Sequence, residues 1–184
     1  MLLHENCTLF SGGHRGAESA FGAAAEKWGV REVNFSFAGH VMERDRNTVV
    51  LSEDELLRGD ISMEIVSRLM RRTYYEGRTI RKVLQTIFHM VNNGHQVFVV
   101  GKILPDNTVK GGTGWAVELA KFFNRPLAVF DQEVKDWFLW NGSAWEKGPA
   151  KLSYETFVGS GTRNLTAEGA LAIEQLFADA FGPA

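Results

Sequence analysis

The chain has 184 residues, 45% hydrophobic and 23% charged, with a formal net charge of −2. That balance suits one soluble domain over 1–184 and argues against bulk electrostatic binding to nucleic acid or an anionic membrane. A lone cysteine, Cys7, excludes an internal disulfide framework and fits a reducing cytoplasm, and no apolar run nears the ~20 residues that span a bilayer.

In chain order, Met1-Leu2-Leu3-His4-Glu5 lacks the basic and long apolar regions of a signal peptide. Cys7 to Phe10 reads as a short buried strand, and Ser11-Gly12-Gly13-His14-Arg15-Gly16 as the turn after it. Ala17 to Trp28 carries Ala20, Phe21, Ala24, Ala25 and Trp28 at helical spacing, and Gly29 is its natural stop. Val33, Phe35 and Phe37 alternate with polar residues, as in a strand. The opening is therefore a βαβ unit with parallel strands.

Gly39 to Asp60 is harder to read. It holds an apolar run at Val49-Val50-Leu51 and a capping box at Ser52-Glu53-Asp54-Glu55 that opens a short helix. Ser62 is expected to cap the next helix, with Ile65, Val66, Leu69 and Met70 as its buried stripe. Thr79 to Asn92 predicts a further helix burying Ile80, Val83, Leu84, Ile87, Phe88 and Val91. Val97-Phe98-Val99-Val100 reads as a central strand buried on both faces.

Gly111-Gly112-Thr113-Gly114 then opens a helix to Asn124, and Leu127 to Phe130 forms the next strand. Trp137 to Trp140, Asn141-Gly142 and Trp145 predict a hairpin with a type I′ turn. Phe157-Val158 leads into a third glycine turn, Gly159-Ser160-Gly161-Thr162-Arg163, and Thr166 or Asn164 caps the last helix. Alternating strands and helices predict an α/β fold: an open, doubly wound, mostly parallel central sheet with helices on both faces. Ligands of such sheets bind at the carboxyl ends of the strands.

Successive glycines let a backbone approach a ligand closely, and a following helix adds its positive N-terminus. The natural guest is a phosphate or another oxyanion, so a bound nucleotide or phosphate is the expected small-molecule partner. The turn at Gly111 lacks the Lys-Ser/Thr ending of a P-loop and the spacing of a dinucleotide fingerprint. Glu118 follows the last glycine by four residues, within reach of a ligand over the turn; beside a sugar it would bond hydroxyls or act in catalysis. Arg15 and Arg163 lie inside their turns and offer planar forks to a phosphate. Trp115 is placed either to stack on a base or to pack its helix on the sheet. The five histidines, His4, His14, His40, His89 and His95, show no metal-ligand spacing, so no metal site is expected.

Ser11-Gly12-Gly13 with Arg15-Gly16-Ala17-Glu18, and Gly111-Gly112-Thr113-Gly114 with Glu118, resemble the two diagnostic turns of the SLOG superfamily. That group includes the LONELY GUY phosphoribohydrolases, often called lysine-decarboxylase-like, the DNA-processing DprA proteins and molybdenum-cofactor carriers. Against the lysine-decarboxylase-like signature PGGxGTxxE, Lys110 stands for the proline and Trp115 for the threonine. The nearest resemblance is to the YspA/YpsA-like branch. It rests on Gly111 to Trp115, Val129 to Gln132, Trp137 with Trp140, Gly161-Thr162-Arg163, and an Arg81-x-x-x-Gln85 helix. It runs from about Leu9 to Phe181.

The resemblance implies a Rossmann-like three-layer fold and a nucleotide-binding, homodimeric protein, which the lone cysteine is expected to place in the cytoplasm. Its expected ligand residues are Ser11, Gly12, Gly13, Arg15, Gly16, Glu18, Arg81, Gly111, Gly112, Thr113, Gly114, Trp115, Gly161, Thr162 and Arg163. A binding protein, a nucleoside-monophosphate N-glycosidase with Glu118 as catalytic carboxylate, and a pterin or molybdenum-cofactor carrier stand as alternatives. A nucleic-acid role is not expected from the acidic balance.

Overall fold

A computed structural model describes residues 2–74 and 77–184. Strand β1 (Thr8–Ser11) leads through the first glycine turn into α1 (Ala17–Lys27), which returns to β2 (Arg31–Phe37) and β3 (Thr48–Leu51). Helices α2 (Glu53–Leu57), α3 (Asp60–Met70) and α4 (Arg78–Asn93) follow. Then come β4 (Gln96–Gly101), α5 (Thr113–Phe122), β5 (Leu127–Asp131), β6 (Asp136–Trp140), β7 (Trp145–Lys147), β8 (Thr156–Gly161) and α6 (Ala167–Phe181). The strands form one eight-stranded sheet in the order β3-β2-β1-β8-β4-β5-β6-β7. The β5–β6 and β6–β7 pairings are antiparallel, and the other pairings among these strands are parallel.

This is the expected Rossmann-like α/β architecture of three layers. Phe21, Ala24 and Ala25 of α1 and Ile173, Leu176 and Phe177 of α6 bury one face of the sheet, against Leu9, Phe98, Val100 and Phe157. Helices α2 to α5 cover the other, against Phe35, Phe37, Val97, Val99 and Val129. Every residue of β4 is buried, as its uninterrupted apolar run requires.

The strand order has a functional consequence. The chain steps outward from β1 to β3, restarts at β4 and steps the other way to β7, and β8 returns between β1 and β4. The connections after β1 and β4 therefore diverge on opposite sides of β8, which opens a crevice at the carboxyl edge.

Several local expectations need correction. Ser62 lies inside α3, whose N-cap is Gly59. Its buried residues are Met63, Val66, Ser67 and Met70, while Ile65 and Leu69 face out. That helix carries two apolar stripes of equal period, and packing against α4 and α5 selects the one with Met63. The hairpin loop is not a two-residue turn. Trp140 pairs with Trp145, and Asn141 Oδ1 accepts from the N–H groups of Ser143 and Ala144, leaving a four-residue loop. Gly159, Ser160 and Gly161 belong to β8, so the third turn begins at Thr162. The capping box Ser52/Glu55 and the Thr166 cap form as expected. Among the described residues no helix is long and apolar enough to cross a membrane.

Candidate functional site

A cavity of about 770 Å³ opens at the carboxyl edge around the end of β8. Glu18 and His14 line it from the β1 side, Gly101 and Lys102 from the β4 side, and Ser160 to Asn164 lie between them. Lys110 to Thr113 close one end, and Gln132 and Glu133 enter from β5. The wall is apolar and comes from α4: Ile80, Val83, Leu84, Ile87 and Met90. Ile80 is 54% exposed because it stands at this mouth and not in the core.

The floor is organised by Glu18, 6% exposed in the first turn of α1. Its Oε2 accepts from the His14 N–H at 3.1 Å and lies 2.8 Å from His14 Nδ1, and its Oε1 accepts from Ser160 Oγ at 3.0 Å. Burial pushes this carboxyl up, but the bonds from His14 and Ser160 outweigh it and hold it below its ordinary range. A Cβ on Gly12 would lie 2.8 Å from Glu18 Oε2. The first glycine turn thus cradles the protein's own carboxylate.

The bonding continues outward. His14 Nε2 lies 2.8 Å from His40 Nε2, and His40 Nδ1 lies 3.0 Å from Ser36 Oγ. Glu18 fixes a proton on His14 Nδ1. In the neutral pair His40 Nε2–H therefore donates to His14 Nε2, and Ser36 Oγ–H donates to His40 Nδ1. Burial, with His14 and Arg163 nearby, lowers His40 to about 4. The loop bearing His40 is pinned where Glu43 N–H and Arg44 N–H donate to Gly13 O, and where Arg44 Nη2 meets the buried Glu32 carboxylate at 2.7 Å.

The second turn differs in kind. Gly112 is the N-cap of α5, and the N–H groups of Gly114 and Trp115 return to Gly111 O and Gly112 O. Among the described residues, the N–H groups of Gly112 and Thr113 bond to nothing in the protein, and both residues line the cavity. These are unsatisfied donors at a helix N-terminus, the arrangement that holds anions. Arg72 fixes the turn by donating from Nη1 to Gly111 O at 2.9 Å and from Nη2 to Val109 O at 2.8 Å. Gly114 is required for that clamp, since a Cβ there would lie 2.3 Å from Val109 O. Lys102 pairs with Glu133 at 2.6 Å at the same end.

The third segment is locked to the first. Gly161 has φ +152, and its Cβ would lie 2.8 Å from the Cβ of Ala17. Thr162 donates its N–H to Val100 O and accepts from Ala17 N–H at 3.0 Å. Gln132 ties β5 to this segment, donating to Asn164 O and accepting from Thr166 N–H.

Seven of the expected residues meet at the cavity: Glu18, Gly111, Gly112, Thr113, Gly161, Thr162 and Arg163. Arg15 and Gly16 line a neighbouring cavity that Arg163 shares. The others lie outside both. Ser11 is fully buried and donates to Gly159 O, and Gly12 and Gly13 hold Glu18 and the Arg44 loop. Gly114 packs under Arg72, and Trp115 is 3% exposed against Tyr74. Arg81 is bound to Asp60 at 2.7 Å and stacked on Tyr74. Glu118 turns away from the cavity toward Lys121, whose Nζ lies 3.2 Å from it and 4.1 Å from the centre of the Trp140 ring. The apolar wall of α4, Arg72, Lys102, Lys110, Gln132 and the His14–His40 pair were not assigned to the site from the residues alone. Among the described residues no cluster of three or more His, Cys, Asp or Glu side chains is arranged to hold a metal.

No protein-family model, curated protein or solved structure matches the chain.

Proposed function

We propose that the protein binds a nucleotide or nucleotide-derived ligand in the cavity around β8. One observation carries this reading: unsatisfied N–H groups at the start of α5 and an apolar wall on α4 face the same cavity at the strand-order reversal. The phosphate sits on Gly112 and Thr113 beside Lys110, and the base lies against Val83, Leu84 and Ile87. Glu18, anionic on the floor, accepts from a ribose hydroxyl. The test is calorimetric titration with a panel of nucleoside monophosphates. Saturable binding that weakens with salt is expected, and no binding by any member contradicts the reading.

Glu18 also supports a second reading, a nucleoside-monophosphate N-glycosidase. A carboxylate beside a sugar stabilises an oxocarbenium ion or activates water. The chemistry expected of Glu118 passes to Glu18, because Glu118 lies outside the cavity. Base released from a nucleoside monophosphate, and abolished by Glu18→Gln with the fold intact, supports it; undiminished release by Glu18→Gln removes Glu18 from the reaction. The homodimer implied by the resemblance belongs to this proposal. Ile61, Ile65 and Leu69 supply an exposed apolar stripe on α3, and sedimentation velocity measures the assembly.

A further inference from the structure

Beside the first cavity lies a second, of about 590 Å³. Its floor is the outer face of α1, where Gly16, Ser19, Ala20 and Ala23 leave a shelf of small side chains. Arg15 stands on one side, Glu43 lies on the lining, and Arg163 and Asn164 form the boundary with the first cavity, lining both.

The backbones that carry the two arginines are held in fixed relation. A Cβ on Gly16 would lie 2.4 Å from Thr162 O and 2.7 Å from Arg163 Cα, so the Arg15-Gly16 backbone is packed directly on Thr162-Arg163. Ala17 N–H bonds Thr162 O across the same junction. Among the described residues no carboxylate pairs with Arg15 or Arg163. Two unpaired guanidiniums on a rigid junction between two cavities form a site for an anion that joins two lobes. A mononucleotide with its phosphate on α5 leaves that junction unfilled.

We infer that the ligand is a dinucleotide, one nucleoside in the α4-walled cavity, the other on the α1 shelf, and a phosphate linkage at Arg163 and Arg15. The inference rests on the nucleotide reading and deepens it. Guanidinium forks serve a phosphodiester and a pyrophosphate alike, so the linkage is decided by experiment.

The experiment measures dissociation constants for AMP, for the 5′-phosphorylated dinucleotide pApA and for NAD⁺. It uses the wild-type chain, Arg15→Gln and Ala23→Leu; both substituted residues are exposed, so the fold tolerates the changes. At least one dinucleotide is expected to bind tenfold or more tightly than AMP, and each substitution brings that ratio down toward one. A gain for pApA alone assigns a phosphodiester, and a gain for NAD⁺ alone a pyrophosphate. AMP binding with no dinucleotide advantage, or an advantage that survives both substitutions, overturns the inference and leaves the nucleotide reading standing. Failure of all three ligands to bind overturns both.

Discussion

Gly112→Val separates ligand binding from folding at one position. Gly112 has φ −60 and ψ −30, a conformation open to any residue, and a Cβ built on it meets nothing within 4 Å. The stability cost is the poorer N-cap preference of valine, about 1 kcal/mol, which in a chain of this size lowers Tm by roughly 2–4 °C. The cost to binding is larger. A valine side chain takes the space over the free N–H groups of Gly112 and Thr113, the position proposed for the phosphate. Each charge-assisted bond lost contributes about 1.5–3 kcal/mol, so losing two weakens affinity by roughly 100-fold or more. Titration calorimetry with a nucleotide that binds the wild type, beside thermal melts of both chains, reads the two effects apart. Undiminished affinity in a folded Gly112→Val protein refutes the reasoning. Gly114→Val, two residues on, is expected to do the reverse and unfold the chain, since its Cβ meets Val109 O at 2.3 Å.

Further predictions concern the groups around the cavity. His40 is held at about 4 against an ordinary 6.5. The unfolded chain therefore takes up that proton first as pH falls, and the stability His40 contributes above 6.5 is lost on the way down to 4. The full shift corresponds to about 3 kcal/mol, reduced by partial solvent access to roughly 1–2. Urea unfolding at pH 7 and pH 4.5 should show His40→Gln losing less stability on acidification than the wild type by about 1 kcal/mol. Equal losses would remove His40 as the cause; Glu18 and His89, also lowered, act in the same direction and survive the substitution. Arg72→Met should weaken nucleotide affinity about tenfold and lower Tm by roughly 5 °C, by releasing Gly111 O and Val109 O from their clamp. Unchanged affinity in that variant would show that the turn holds its shape unaided.

The elements whose pattern is set by local chemistry were legible. The helix of α1 ends where Gly29 allows a positive φ, and β4 is central because its apolar run is unbroken. The return of β8 between β1 and β4 is a long-range pairing with no local signature. Glycine marked close approach but not what approaches. At Gly12 it is Glu18, at Gly159 it is Phe21, at Gly161 it is Ala17 and Val100 O, and within the three glycine turns it is Gly111 and Gly112 that meet open space. Glu118 has the spacing of a ligand residue, yet it lies five residues beyond Thr113, roughly 140° around a helix of 3.6 residues per turn, while Thr113 faces the cavity. The His14–His40 pair joins a glycine turn to a loop of no periodicity, so sequence position could not bring them together.

The account is tested most directly by following backbone amide resonances of the protein during titration with a nucleoside monophosphate. Saturable shifts concentrated at Gly111, Gly112, Thr113, Gly161 and Thr162, with smaller ones along α4 at Ile80, Val83 and Leu84, are the predicted result. Saturable binding with those amides unmoved, or with shifts gathered around Lys121 and Trp140 instead, contradicts the assignment of the β8 cavity as the nucleotide site.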